Sequence, residues 1–253
     1  VHAREFLVFL DLKRYISPVL PLLWNDDLIF YVISRIFSAA LGALTIIPIY
    51  KTAKLFFSER AGFLAALFFC VLPFHVWHSH YALIDVPATF FVAWGMYFAL
   101  KVITQENTSD YVGAGFYAGL AASTKYNGGL SILAVFIAHI ARVLLNKEKL
   151  FRLTALKNLI LATLASVIAF LLGTPYALLD NQTFMRIDSP KGAMWQFTNV
   201  GSVPAWLRIP RFFTYALPKI IDDLGYTMLI VFFICLLYLV IKAVLKKASR
   251  MDT

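Results

Sequence analysis

Charge is scarce in this 253-residue chain: Asp, Glu, Lys and Arg make up 15% of it, where a soluble domain carries about a quarter. Acids are scarcer still, with 14 Asp and Glu against 23 Lys and Arg. So little polar surface, with a hydrophobic content of 60% and a mean hydropathy of +0.75, excludes an ordinary soluble domain. The two cysteines, Cys70 and Cys235, both fall within apolar runs and say nothing about the redox compartment. Heptads, low-complexity tracts, inverted repeats and a second-domain boundary are also lacking. What is present is a series of long apolar runs, and these predict an all-α, polytopic transmembrane helix bundle.

Seven runs are candidates to span a bilayer whose hydrocarbon takes about 20 helical residues. They are Leu28 to Tyr50, Ala61 to Val76, Pro87 to Ile103, Tyr111 to Thr124, Gly129 to Leu145, Leu156 to Tyr176 and Gly225 to Val244. The Tyr111 run is short and rich in Gly and Ala, which predicts close packing inside the bundle rather than lipid contact. Residues 1–27 are too charged to span and too apolar for a free tail, so they read as an external interfacial segment. Residues 177–224, with four prolines after Pro175, read as one long external loop.

The segments 51–60, 101–110, 142–157 and 242–253 hold 13 of the 23 basic residues and five of the 14 acids. Basic residues are retained on the cytoplasmic side of short loops, so these segments are predicted to face the cytoplasm. The high pI therefore reflects topology and gives no support to nucleic-acid binding. An odd number of spans ending inside puts residue 1 outside, yet no signal peptide or anchor precedes Leu28. The expectation is that at least one more membrane helix lies upstream of Val1.

Against this apolar background a few polar residues stand out, and most gather toward the outer face. In His75-Val-Trp-His-Ser-His-Tyr-Ala-Leu-Ile-Asp-Val-Pro87, Asp85 lies two residues before Pro87 at the start of a span. It is either an N-terminal helix cap or a carboxylate held at the boundary to bind a cation or orient a substrate. His78 and His80 offer ligand types that, with Asp85, suit a divalent cation such as zinc or manganese. A His-x-His spacing splays the two rings about 200° apart on a helix, and Trp77 and Tyr81 give the alternative of an aromatic interfacial belt. His80 is also a candidate hydrogen-bond partner for a ligand or for Asp85.

Lys125, in Ala-Ser-Thr-Lys-Tyr-Asn-Gly-Gly, breaks the charge rule that sets the topology, because it falls in a short outer loop. It is either a snorkelling lysine or an ammonium placed for a lipid phosphate, with Tyr126 and Asn127 adding donors. Arg35 lies about 10 Å inside the first span, where an arginine is costly and usually faces the bundle interior. It reads as a structural ion pair or as the second half of an anion clamp with Lys125.

The succession SRIFSAALGALTIIPIYKTAKLFF, HSHYALIDVP, TKYN and TPYALLD, spread over about residues 28 to 225, resembles the lipid-sugar glycosyltransferases of family 39 and their protein O-mannosyltransferase-like relatives. The resemblance implies a GT-C architecture whose active site opens outside the cytoplasm. It implies a polyprenyl-phosphate sugar as donor, drawn from the membrane lipid, and a protein, lipid or glycan as extracytoplasmic acceptor. Asp85 resembles the family's second acidic position and Lys125 its lysine after the next helix pair. The family's first acidic motif follows its first helix and would precede Val1; Asp26-Asp27 does not match it. The implied function is sugar transfer, with the family's catalytic base expected upstream of Val1; within this chain the residues themselves offer Asp85 as a catalytic carboxylate and Lys125, Arg35, His80, Tyr126 and Asn127 as substrate-binding groups. A secondary transporter or lipid flippase is the alternative, although such proteins place their polar residues near the midplane on broken helices.

Cysteines placed near Lys147 and Lys246 are expected to react with a membrane-impermeant thiol reagent only from the cytoplasm, and those near Ser79 and Gln196 only from outside. Labelling of a Ser79→Cys variant from the cytoplasm would overturn this orientation.

Overall fold

The computed structural model describes residues 27–146, 153–189, 192–195, 210, 212–219 and 230. Among these, all regular structure is helical: α1 (Asp27–Leu44), α2 (Ile46–Phe56), α3 (Glu59–Cys70), α4 (Pro73–Ser79), α5 (Asp85–Thr104), α6 (Thr108–Thr124), a 3-10 turn (Tyr126–Ser131), α7 (Ile132–Asn146), α8 (Leu153–Gly173), and the one-turn α9 (Tyr176–Leu179) and α10 (Asn181–Phe184). A short π turn covers Phe212–Ala216. Two compact units are present, one reaching Val71 and resuming at His75–Asn181, the other holding Leu72–Phe74 and the residues from Gln182.

Four stretches are long and apolar enough to cross a membrane: Ile29–Phe56, Asp85–Thr104, Tyr126–Asn146 and Leu156–Gly173. A fifth is gained if α3 and α4, bent by 59°, count as one broken span. These account for five of the seven runs predicted from the sequence, and the Tyr111 run is a helix of 17 residues. Pro73, which can donate no backbone hydrogen bond, stands at the break in the second predicted run. The seventh run, Gly225 to Val244, lies outside the described residues, as do 1–26 and most of the loop beyond 195. Thr45 marks the joint between α1 and α2: its hydroxyl donates to the Leu41 carbonyl at 2.7 Å, just before Pro48 removes a helical donor.

The Tyr111 run is α6, with 17 residues, and its packing follows from its composition. Lipid tails are as apolar as the helices, so association depends on how closely backbones approach. Gly115 lies against the backbone of Ala162 and Gly119 against that of Ser166, both on α8, so closely that even a β-carbon would collide. On its other side α6 packs against α5, and Ala99, Val102, Tyr111, Ala114, Val135, Ala138 and Ala162 form the core. Helix α6 therefore presents apolar groups on several sides, as expected of a helix surrounded by protein.

Helices α5 and α6 run in opposite directions and are tied at both ends. Lys101 donates to Asp110 Oδ1 at 2.6 Å at one end, and Lys125 donates to Asp85 at the other. Sixteen residues of α5 and fifteen of α6 separate these ties, about 22–24 Å at 1.5 Å per residue, most of the hydrocarbon thickness. Each helix carries its acid in the first turn and its base at or just beyond the last, which also complements the helix dipole.

In the second unit, Arg186 makes a bidentate pair with Asp188 at 3.0 Å and its carbonyl accepts from the Trp195 amide. That guanidinium holds the exposed Asp188 carboxyl below the usual carboxylate range.

Gly115→Ala should destabilise the bundle by about 1–3 kcal/mol despite the better helix propensity of alanine, because its β-carbon meets fixed backbone. Gly95→Ala should not, since the nearest atom to a β-carbon there is 3.6 Å away, an ordinary contact. Thermal unfolding in detergent checks both, and equal effects would refute the packing account.

Candidate active site

The outer end of the α5–α6 pair gathers most of the residues singled out by sequence. Asp85 opens α5, but Ile84 holds the N-cap position and no side chain caps the helix. The capping alternative therefore falls: the Asp85 carboxylate turns to Lys125, forty residues further on, which is thus no free snorkelling charge. Oδ1 takes the ammonium, and Oδ2 makes no hydrogen bond among the described residues. Both side chains remain partly open, at 39% exposure for Lys125 and 48% for Asp85.

Lys125 is carried out of α6 in extended backbone and followed by the 3-10 turn. The Gly128 amide donates to the Lys125 carbonyl at 2.7 Å, and Gly128 sits on the Ala121 carbonyl with no room for a β-carbon. This tight reversal fixes the direction of Lys125. Tyr126 meets Tyr176 hydroxyl to hydroxyl at 2.7 Å, which ties the turn to α9. Tyr176 was missed as a site residue, and its signal lay in TPYALLD, where Pro175 restarts a helix just beyond Gly173. Asn127 is exposed on the same turn.

Arg35 makes no ion pair among the described residues. Its Nε donates to the His80 carbonyl at 2.7 Å, and its guanidinium lies 5.4 Å from the Tyr31 ring centre. The Ser38 hydroxyl donates to the Leu83 carbonyl at 3.2 Å. Helix α1 thus holds both ends of the 80–84 turn that leads into Asp85. Arg35 and Lys125 flank this turn without touching each other. Beside it an open cleft of about 430 Å³ is lined by Ser34, Phe37, Ser38, Leu83, Pro87 and Thr124, among others.

The histidines do not converge. His80 Nδ1 contacts the Val76 carbonyl at 2.7 Å, and His75 Nε2 the Gly42 carbonyl at 3.1 Å. His78 ends α4 with its ring against Trp77, which also meets Tyr81 at 4.9 Å. Among the described residues no three of His, Cys, Asp and Glu come together to hold a metal ion. The divalent cation considered from His78, His80 and Asp85 therefore finds no ligand set there, and the His80 carbonyl accepts from Arg35.

The two ties differ in burial, so they should differ in worth. Asp110 is 1% exposed, and Asp110→Asn, by stranding Lys101 in a mostly buried site, should cost about 3–5 kcal/mol of stability. Asp85→Asn breaks a half-exposed pair and should cost less than about 1 kcal/mol. Chemical or thermal denaturation of the two variants checks this, and equal losses would contradict it.

Residues 31–178, more than half the chain, match the family described as dolichyl-phosphate-mannose-protein mannosyltransferase. The chain is also 32% identical over 155 residues to dolichyl-phosphate-mannose–protein mannosyltransferase 1 of Saccharomyces cerevisiae. That match covers 58% of this chain and 18% of the yeast protein, so the chain spans under a fifth of that relative's length. No solved structure matches. The matched region runs from Tyr31, beside the Arg35 guanidinium, to α9 and takes in the Asp85–Lys125 pair and both tyrosines. With its several membrane-spanning helices, this integral membrane protein belongs to the dolichyl-phosphate-mannose-protein mannosyltransferase family of GT-C type.

Proposed function

We propose that this chain takes part in transferring mannose from dolichyl-phosphate mannose to a protein hydroxyl outside the cytoplasm, and that the outer end of the α5–α6 pair is its reaction site. The observation that carries this is the Asp85–Lys125 pair, a carboxylate and an ammonium half open to solvent beside a cleft, in a chain of this family. A family of this kind needs to hold a lipid phosphate as it leaves and to take a proton from the acceptor. The two charges supply both.

In the proposed reaction the acceptor hydroxyl oxygen attacks the anomeric carbon of mannose. The bond from that carbon to the phosphate oxygen breaks, and dolichyl phosphate leaves with the bonding electrons. The hydroxyl proton passes to a carboxylate, for which the Oδ2 of Asp85 is the candidate. Lys125 and Arg35 stabilise the negative charge that grows on the departing phosphate, where fixed cations act most strongly. Tyr126 and Asn127 offer further donors on the turn that carries Lys125. A single displacement inverts the anomeric configuration. The transporter or flippase alternative predicts polar residues near the midplane, whereas these collect at one end of the helices.

Asp85→Asn should abolish most mannosyl transfer in the full-length protein while leaving it folded in the membrane, and wild-type transfer would remove Asp85 from the reaction. Lys125→Ala and Arg35→Ala should each weaken dolichyl phosphate binding about ten- to a hundredfold, the worth of one charged hydrogen bond. Binding to well-folded variants in nanodiscs checks this, and unchanged affinity in both would remove them from the donor site.

A further inference from the structure

We propose a second anion site on the α2–α5 face, in the basic half of the helices, where Lys51, Trp94 and Tyr97 hold the phosphodiester of an anionic glycerophospholipid. Lys51, on α2, places its ammonium 5.0 Å from the centre of the Trp94 ring and 5.7 Å from that of Tyr97, both on α5. Its neighbour Lys54 is neutralised by Glu59 at 2.7 Å, and Lys101 by Asp110 at 2.6 Å. Lys51 meets no carboxylate among the described residues. Tyr97 also lies 5.9 Å from the Lys101 ammonium, so two cations converge on one ring with a single acid between them. An anion at Lys51 relieves that imbalance.

The donors around it point to the same ligand class. The Trp94 indole N–H and the Tyr97 hydroxyl make no hydrogen bond among the described residues, so the two rings under the Lys51 ammonium each carry a donor without an acceptor there. Phosphate and ester oxygens are acceptors only. The patch is also held in place before any ligand arrives, since Trp94 stacks on Tyr117 at 5.7 Å and on Phe98 at 6.0 Å. Leu44 and Ile47, two turns and one turn before Lys51 on the same face of the span, are 45% and 41% exposed. They give acyl chains an apolar path directly beside the charge. A lone snorkelling lysine needs neither the fixed rings nor the unused donors.

The full-length protein in detergent should bind dioleoyl phosphatidylglycerol more tightly than dioleoyl phosphatidylcholine, read by native mass spectrometry and by the rise in melting temperature. Lys51→Gln should weaken phosphatidylglycerol binding about five- to tenfold without changing the melting temperature in the absence of lipid. Lys51→Arg should retain it. The idea is overturned if Lys51→Gln binds phosphatidylglycerol as wild type does, or if the two lipids bind alike. Equally tight binding of glycerol 3-phosphate would also overturn it, because that ligand has the phosphate without the chains. If Lys51→Gln lowers lipid-free stability, Trp94→Phe decides: it keeps the ring stack and removes one donor, and unchanged phosphatidylglycerol affinity in it overturns the site.

Discussion

Everything at the Asp85–Lys125 end rests on how closely α6 can approach its neighbours. A bilayer offers no hydrophobic gain for bringing apolar helices together, so the gain comes from dispersion contacts between surfaces that fit. Gly115 and Gly119 let α6 lie directly on the backbone of α8, while Ala114 and Tyr111 contribute to the core it shares with α5. Once α6 is seated, its two ends are fixed in depth. Lys125 then emerges level with Asp85, because the helices between the two ion pairs are nearly equal in length.

The same geometry divides the two ion pairs by role. The Lys101–Asp110 pair is buried and backed by Asn107, which donates to Asp110 at 3.3 Å, so its second carboxylate oxygen is also occupied. It is a structural clasp. The Asp85–Lys125 pair is left half open, with one carboxylate oxygen unoccupied and a cleft alongside. Its surroundings are braced from outside the pair: Arg35 and Ser38 grip the 80–84 turn, and Tyr176 grips the turn after Lys125. Rigid support around an incompletely satisfied pair is what a binding site requires.

Much of this was legible in the sequence because a membrane makes polar residues conspicuous. Asp85, Lys125 and Arg35 were found by their cost in an apolar chain, and the Gly and Ala content of the Tyr111 run correctly signalled burial in protein. Pairing was not legible. Asp85 and Lys125 are forty residues apart, and only the nearly equal spacing of the two ion pairs along α5 and α6 brings them level. Arg35 read as a candidate for a carboxylate or a phosphate, whereas its structural partner is the His80 carbonyl, and backbone acceptors leave no trace in composition. The histidines looked like metal ligands by type, but the His80 ring meets the Val76 carbonyl and the His78 ring lies against Trp77. Apolar length alone does not tell a bent helix pair or a short, protein-enclosed helix from a plain span, and among the described residues four or five crossings meet the test of length and composition.

The central claim is that Asp85 and Lys125 have separate duties, one facing the acceptor and the other the lipid phosphate, beyond holding each other. Exchanging them tests it most directly. The double variant Asp85→Lys with Lys125→Asp, made in the full-length protein, preserves an ion pair between α5 and α6 while reversing its polarity. Mannosyl transfer from dolichyl-phosphate mannose to a peptide acceptor, measured alongside the melting temperature, should remain abolished although stability returns to near the wild-type value. Recovery of transfer in the exchanged protein would mean that the pair is only a clasp, and would contradict the account.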